Sequence, residues 1–194
     1  MKELLQRLLS QAPVLTDGAW GSQFLAQGLA PGEAGDVWNL THPERVAAVA
    51  RAYVDAGSRV ILTNTFLGNR RQLAAHGLAD SLEAINRAGV EISRRAADGR
   101  ASVFGSVGPT GSLLAMGEVS EQELLDVFRE QMAILAAAGA EAIILETMSD
   151  LAEAVLAVRA ASGTGLPVVA CMVFDSGRNK DRTLTGVTPE RAAE

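Results

Sequence analysis

Two acidic residues stand directly after short apolar runs, where a cationic ligand could meet them. Glu146 follows the run AIIL, and Asp17 follows VLT and precedes the small residues Gly18 and Ala19. A carboxylate at the end of a buried strand loses part of its hydration, so it needs a cationic ligand or neighbouring hydrogen-bond donors. For Glu146 we favour a ligand, whereas for Asp17 a helix cap beside a glycine turn explains the pattern equally well.

Two further polar segments follow apolar runs. TNTF, residues 63–66, offers hydrogen bonds from Asn64, or only strand-end polarity with Phe66 in the core. GSVGPTG, residues 105–111, has a glycine at every third position and matches neither the dinucleotide-binding fingerprint nor the P-loop. This second segment, which contains Gly105 and Ser106, therefore predicts a closely packed turn beneath a small ligand.

The elements that must position these residues alternate between strands and helices. Apolar runs predict strands at 14–16, 59–63, 101–105, 141–145 and 167–173, and helical patterns predict helices at about 44–56, 81–98, 121–138 and 150–162. A weak internal repeat makes Asn64 and Glu146 equivalent positions at one rim. This order predicts a parallel sheet, either a TIM-type barrel or a doubly wound sheet, and both bind ligands at the carboxyl ends of their strands.

Helix-start signals accompany these elements. Thr41 with Glu44 and Ser120 with Glu123 fit the capping box, in which a hydroxyl and a carboxylate three residues apart satisfy free amides. Ser149 and Thr188 are the predicted caps of two further helices, the second with Pro189 at its first position.

The histidines and the cysteine have no metal-binding spacing. His42 and His76 are the two histidines, and we expect both at the surface. Cys171 lies within an apolar run, where a buried structural thiol is the common outcome. A single cysteine excludes an intrachain disulfide framework and any multi-cysteine zinc cluster built from this chain alone.

Composition narrows the function classes. The 194 residues are 48% hydrophobic and 21% charged, as in ordinary globular proteins. The formal net charge of -6 argues against a protein that coats nucleic acid. The first leucines are interrupted by charges, unlike those of a signal peptide, and no run is long enough to span a bilayer. We therefore expect a cytoplasmic protein with no nucleic-acid or membrane partner.

Six segments taken together resemble the homocysteine S-methyltransferase family, with betaine-dependent enzymes and the homocysteine module of methionine synthase among its members. They are DGAWG (17–21), WNLTHP (38–43), TNTF (63–66), GSVGPTG (105–111), LET (145–147) and TGVTP (185–189), in family-like order and spacing. The resemblance implies a (β/α)8 TIM barrel and methyl transfer to homocysteine, which forms methionine. It also implies zinc, held by three cysteines, which keeps the homocysteine sulfur as a thiolate.

The same resemblance implies roles for particular residues. Glu146 would hold the homocysteine ammonium, and Asp17, Gly18 and Ala19 would lie at the amino-acid end of the substrate. Asn64, Gly105 and Ser106 would line the mouth of the barrel. Betaine, S-methylmethionine and methylcobalamin or methyltetrahydrofolate all stay open as the methyl donor, and a cobalamin or folate link stays open with them.

The chain departs from the family in its cysteines. The family's zinc ligands follow the sixth strand and lie at the eighth, and Cys171 matches neither position, so we assign no metal ligand and no catalytic residue. We expect residues 1–194 to form the N-terminal portion of one barrel domain, with about five of its β/α units. Unpaired strand edges would then favour a homo-oligomer or a complementing C-terminal segment.

Two alternatives stand beside this interpretation. The chain could be a non-catalytic amino-acid-binding fragment or a subunit of a split enzyme, which would differ from a complete enzyme in whether it binds zinc. It could also be another α/β enzyme, such as a small-ligand lyase or a phosphate-binding barrel. That last class predicts a basic residue near the glycine segment, and residues 105–111 contain none.

Overall fold

A computed structural model describes residues 2–112 and 114–194 and contains one parallel sheet. Its strands are β1 (Val60–Leu62), β2 (Ser102–Val107), β3 (Ala142–Met148) and β4 (Val168–Met172), hydrogen-bonded in the order β1-β2-β3-β4. Each strand pairs with the next one along the chain, whereas a doubly wound sheet reverses its strand order. The predicted α/β class and parallel sheet are confirmed, and the sequential order is the order of a barrel; closure into a barrel stays a prediction.

The predicted first strand is reduced to a single parallel bridge between Thr16 and Val60. The Leu15 carbonyl accepts hydrogen bonds from the amides of Arg59 and Val60, and Asp17 N donates to Val60 O. The segment nevertheless runs beside β1 and brings Asp17 to the carboxyl end of the sheet.

Helices precede, separate and follow the strands. They are α1 (Lys2–Leu9), α2 (Trp20–Ala26), α3 (Trp38–Thr41), α4 (Pro43–Asp55), α5 (Arg70–Ala75), α6 (Leu82–Ala97), α7 (Glu121–Ala138), α8 (Leu151–Ala161) and α9 (Pro189–Ala193), with short 3-10 turns between some of them. The four predicted helices are confirmed as α4, α6, α7 and α8; the bounds of α7 match, and each end of the other three differs by one residue. No helix of the described ranges is long and apolar enough to cross a membrane.

Two of the predicted helix starts are confirmed and two are wrong. Ser120 and Glu123 form both bonds of the capping box, and Thr188 accepts from Arg191 N with Pro189 at the first position of α9. The Thr41 box is wrong because Thr41 ends α3 and donates to Val37 O, which leaves His42 as the cap before Pro43. The cap of α8 is Asp150, whose carboxylate accepts from Ala152 N, and not Ser149.

The sheet is packed on both faces. Ile143 and Leu145 lie in an apolar cluster with Phe128 of α7 and Leu156 of α8, on the helix-covered face. The opposite face contributes the buried side chains of Val60, Phe104 and Ala142, which pack with Leu8 of α1. These two layers leave the carboxyl ends of the strands as the polar edge of the sheet.

Some surface predictions need correction. Cys171 is exposed, contrary to the expected burial, because β4 is the last strand of the sheet in the described residues. His42 is half-buried, with its ring centroid 4.9 Å from that of Trp38. His76 is exposed, as predicted.

Candidate functional site

A cavity of about 410 Å³ opens at the carboxyl ends of β1, β2 and β3. Five of the seven predicted site residues line it, namely Gly18, Ala19, Asn64, Ser106 and Glu146. Asp17 lines an adjoining cavity of about 440 Å³ that shares Gly18, Ala19 and Glu146 with the first. Gly105 lines neither. The chain therefore brings together, at one end of the sheet, residues that are up to 129 positions apart in sequence.

Asp17 holds the turn that follows the first chain segment. Its Oδ2 accepts hydrogen bonds from Trp20 Nε1 at 2.7 Å and from Leu62 N at 2.8 Å. The helix-cap interpretation is wrong, because α2 has Ala19 at its cap position and no side-chain capping bond. Burial raises the pKa of Asp17, and these hydrogen bonds oppose the rise. Asp17 thus ties the Gly18–Ala19 turn to β1 and adds negative charge beside the cavities.

Glu146 is the carboxylate at the centre of the site. It is half-buried, and its Oε1 accepts a hydrogen bond from the hydroxyl of Ser106 on β2. Burial raises the pKa of Glu146, the Ser106 bond opposes this, and the charge of Asp17 adds to it. The residues lining the two cavities include no lysine, arginine or histidine. No side chain of these two linings therefore neutralises the carboxylate, so a cationic group of a ligand would be favoured there.

A β-bulge aims Glu146 into the site. Leu145 pairs with Ala170 and Met148 with Met172, so β3 has one residue more than β4 across this interval. The extra residue allows Leu145 and Met148 both to pack in the helix-side core, while Glu146 and Thr147 reach the cavity rim. Thr147 has a φ of 62°, which is unusual for a β-branched residue. Bulges often redirect side chains beside functional sites. The sequence contained no signal for Thr147.

The rims of β1 and β2 are joined by hydroxyl groups. Thr63 Oγ1 lies 2.6 Å from Thr65 Oγ1 and accepts from Ser106 N at 3.0 Å, and Thr65 Oγ1 donates to Ser106 O at 2.7 Å. Asn64, between the two threonines, is buried, and its Nδ2 donates to Gly35 O at 2.9 Å. The threonines of the TNTF segment therefore join β1 to β2, and Thr63, Asn64 and Phe66 of the segment line the cavity.

Gly105 is the one predicted site residue that the fold turns away. A Cβ atom at this position would lie 3.1 Å from Leu135 Cδ1 and 3.3 Å from Ile143 Cδ1, so the residue faces the helix layer and does not line the mouth. Further along the segment, a Cβ at Gly108 would lie 2.5 Å from the ring of Phe66. The prediction of a closely packed turn is thus confirmed, and glycine at 108 is what permits the contact.

A buried acid supports the same glycine segment from below. Glu153 Oε1 accepts from Thr110 N at 2.7 Å and from Thr110 Oγ1 at 2.6 Å. Burial raises the pKa of Glu153. A carboxylate that occupies an amide of the turn is the opposite of the basic group that a phosphate would need, which disfavours the phosphate-binding alternative.

Asp36 is a site residue that the sequence reasoning missed. It lies in the short 3-10 turn Gly35–Val37, lines the 410 Å³ cavity and is 4% exposed. Burial raises the pKa of Asp36 to about 7, and the charge of Glu146 adds to the rise, although Leu67 N donates to its Oδ1 at 3.1 Å. The signal available in the sequence was an acid two residues before the WNLTHP segment.

A family model described as homocysteine S-methyltransferase matches residues 14–194. The chain belongs to the homocysteine S-methyltransferase family. It is 34% identical over 201 residues to betaine–homocysteine S-methyltransferase 1 of Sus scrofa, a match that covers 99% of this chain and 69% of that protein. It is 31% identical over 206 residues to methionine synthase of Mycobacterium tuberculosis, covering 94% of this chain and 17% of that protein.

Among solved structures, this member of the homocysteine S-methyltransferase family resembles the metallated form of the homocysteine methyltransferase MmuM from Escherichia coli. The TM-score is 0.80 at 23% sequence identity, over 97% of this chain and 72% of that one. The likeness shows a shared fold. The chain thus spans about a sixth of methionine synthase and 69% of the porcine relative.

The described residues do not fit the zinc that the family resemblance implies. No group of three His, Cys, Asp or Glu side chains within residues 2–112 and 114–194 is arranged to hold a metal ion. The one cysteine, Cys171, is exposed on β4 and belongs to no such group in these residues.

Proposed function

We propose that this chain binds homocysteine and contributes its amino-acid pocket to an S-methyltransferase that converts homocysteine into methionine. The observation that carries the proposal is Glu146, a half-buried carboxylate at the shared wall of two cavities lined by no basic side chain. An ammonium group fits this wall, since a charge-assisted hydrogen bond is about twice as strong as a neutral one. Membership of the family supplies the substrate class.

The two ends of the amino acid find different partners in this proposal. Glu146, with its Oε1 oriented by Ser106, accepts from the ammonium group. Gly18 and Ala19 line both cavities next to it, and their backbone N–H groups donate no hydrogen bond within the described part of the chain. We assign these two amides to the homocysteine carboxylate. Asp17 sets their position through its bonds to Trp20 and Leu62.

Methyl transfer itself places simple demands on the site. The homocysteine sulfur attacks as a thiolate, a sulfur–carbon bond forms, and the bond between the methyl carbon and its donor breaks. The contribution of this chain is to hold the amino-acid end, so that the sulfur is oriented, and to exclude water with Phe24 and Phe66, which line the cavity. The donor is an activated methyl compound such as betaine, S-methylmethionine or a methylated cobalamin or folate. Zinc dependence is assigned to residues other than those of this pocket.

A second candidate function is a non-catalytic amino-acid-binding unit. The observation that favours it is the contrast between a complete acidic pocket and the lack of a three-ligand metal group in the described residues. Both candidates require homocysteine to bind, and they differ in whether methionine is formed when a donor is added.

Calorimetric titration of the 194-residue chain with L-homocysteine tests the proposal. Glu146→Gln removes the charge but keeps the size, and we expect the affinity to fall about tenfold or more. Glu118→Gln is the matched control, because Glu118 is exposed on a distant turn, and it should leave the affinity unchanged. Equal affinities for the wild type and Glu146→Gln would remove Glu146 from the pocket, and no binding by the wild-type chain would refute the proposed function.

A further inference from the structure

The side-chain amide of Asn39, on α3 behind the cavity wall, has its orientation dictated by its surroundings. Its Nδ2 donates to Asn64 O at 2.7 Å and to Ile85 O at 3.0 Å. Backbone carbonyls accept hydrogen bonds and never donate them, so the nitrogen of Asn39, and not its oxygen, must face these two atoms. Asn39 is 2% exposed, so no water competes for these bonds.

This orientation is passed on to Asn64 at the cavity wall. Since both protons of Asn39 Nδ2 are used, its Oδ1 is left to accept from Asn64 Nδ2, at 3.0 Å. The second proton of Asn64 Nδ2 goes to Gly35 O at 2.9 Å. Both donors of the Asn64 amide are therefore directed into the protein, and the side chain cannot be flipped without placing two oxygens against each other.

The remaining polar atom, Asn64 Oδ1, is available to a ligand. It accepts no hydrogen bond within the described part of the chain, and it is not among the fully enclosed side-chain atoms that lack a partner. Asn64 lines the same cavity as Glu146 and Asp36. Three oxygen acceptors thus belong to one wall, and the oxygen of Asn64 is held there by a second residue that does not line the cavity.

The helix behind Asn39 is adapted to this arrangement. A Cβ atom at Gly89 of α6 would lie 2.8 Å from Asn39 Nδ2 and 2.7 Å from Thr65 Cγ2. Glycine is unfavourable within a helix, and here its missing side chain makes the space that the Asn39 amide occupies. The close approach of α6 to α3 is therefore part of the arrangement that holds the Asn39 amide.

We propose that Asn39 is a positioning residue that fixes the polarity of Asn64, so that this point of the pocket accepts hydrogen bonds and selects an ammonium group over a carboxylate. The inference rests on the proposed homocysteine site and deepens it. It predicts that Asn39 acts on recognition of the amino group and on no other part of the ligand.

The test compares two ligands and two buried amides. The ligands are L-homocysteine and 4-mercaptobutanoate, which lacks the amino group, and the variants are Asn39→Ala and Asn86→Ala. Asn86 is an equally buried amide that donates to Gly68 O and Leu82 O and does not touch Asn64. We expect Asn39→Ala to lower the affinity for homocysteine about tenfold and to leave that for 4-mercaptobutanoate unchanged, as for the loss of one oriented bond to a charged group.

Each result either supports or overturns the positioning role of Asn39. Asn86→Ala should change the two affinities in equal proportion. If Asn39→Ala also lowers both equally, or lowers neither, its role is structural and the inference is overturned. If Asn39→Ala does not fold, a measurement on the wild-type chain without any ligand still tests the inference. Nuclear magnetic resonance should find both Asn64 Nδ2 protons protected from exchange with solvent, and rapid exchange of either proton overturns the assigned polarity.

That second measurement also separates the two proposals. Protected Asn64 protons in a chain that does not bind homocysteine would refute the proposed function and leave the polarity of the wall standing. Homocysteine binding together with unprotected Asn64 protons would refute the assigned polarity and leave the proposed function standing.

Discussion

The β1 rim, residues 63–69, and the β3 rim, residues 146–148, border the same cavity but are supported in different ways. Three buried side-chain amides donate hydrogen bonds to backbone carbonyls of the β1 rim. Asn39 donates to Asn64 O, Gln131 to Thr65 O and Asn86 to Gly68 O. At the β3 rim, Glu146 has one bond from Ser106, and Thr147 is exposed with a φ of 62°. Side chains of α3, α6 and α7 hydrogen-bond to the carbonyls of the first rim, whereas the second rim is anchored by Met148 in the core and contains one residue at positive φ.

This difference indicates how the two walls divide the work of binding. Three buried amides hydrogen-bond to the carbonyls of the β1 rim and restrict its movement, so the β1 rim is a preformed wall. The β3 rim presents a carboxylate with a raised pKa to the cavity, and the Glu146 side chain accepts a single hydrogen bond within the described residues, from Ser106. The β3 rim thus supplies the charge of the cavity, and the β1 rim supplies a wall of fixed geometry. Changes at the β1 rim should therefore affect folding most, and changes at the β3 rim should affect it least.

The largest effect is expected at Gly108, where the glycine segment contacts the β1 rim. In Gly108→Ala, the new Cβ would lie 2.5 Å from the Phe66 ring and 2.7 Å from Phe66 O, and backbone cannot yield as a flexible side chain can. We expect the free energy of unfolding in urea to fall by about 3 kcal/mol. Gly163→Ala is the control, because nothing lies within 4 Å of its Cβ position, and its stability should stay near that of the wild type.

Sequence reasoning recovered the parts of the site that follow from local periodicity. Glu146 and Asn64 were placed at one rim because the internal repeat makes them equivalent positions at strand ends, and both line the same cavity. The capping box at Ser120 was found by its spacing. The error at Gly105 was avoidable, since neighbouring residues of a strand face opposite sides, so Gly105 and Ser106 could not both line the mouth. Asn39, Asp36 and Thr147 depend on long-range contacts or on a bulge, and neither leaves a periodic pattern.

The second largest effect is expected at Gln131 of α7, another support of the β1 rim. Its Nε2 donates to Thr65 O at 2.7 Å and to Asn86 Oδ1 at 3.1 Å, in a fully buried setting. Gln131→Ala leaves both acceptors without this donor, and we expect the free energy of unfolding to fall by about 2 kcal/mol. Gln122→Ala, at an exposed position of the same helix, provides the comparison. Similar values for the two variants would show that the amide does not support the rim.

Asp36 makes the stability of the β1 rim depend on pH. Its pKa rises from 3.8 to about 7 through burial, so the folded chain binds more protons than the unfolded chain between these values. Stability then falls as pH rises through this window, and the loss is complete above the folded pKa. We expect the stability of the wild type relative to Asp36→Asn to fall steadily between about pH 4 and about pH 7.

The control for this pH dependence is Asp98→Asn, at an exposed carboxyl far from the cavity, measured by urea unfolding over the same range. Its difference from the wild type should not follow the Asp36 curve. A relative stability of the wild type that rises with pH would mean that the Asp36 carboxylate is stabilised and not penalised in the folded chain.

The smallest effect, with the opposite sign, is expected at Thr147 of the β3 rim. Glycine adopts a φ of 62° without the steric cost that a β-branched residue has there, so Thr147→Gly should raise the free energy of unfolding by about 1 kcal/mol. Thr147→Ala is the matched control, since it removes the same hydroxyl and keeps a Cβ atom at positive φ, and it should give little or no gain. A loss of stability in Thr147→Gly would mean that the Thr147 side chain supports the bulge, and the β3 rim would then be held by contacts, as the β1 rim is.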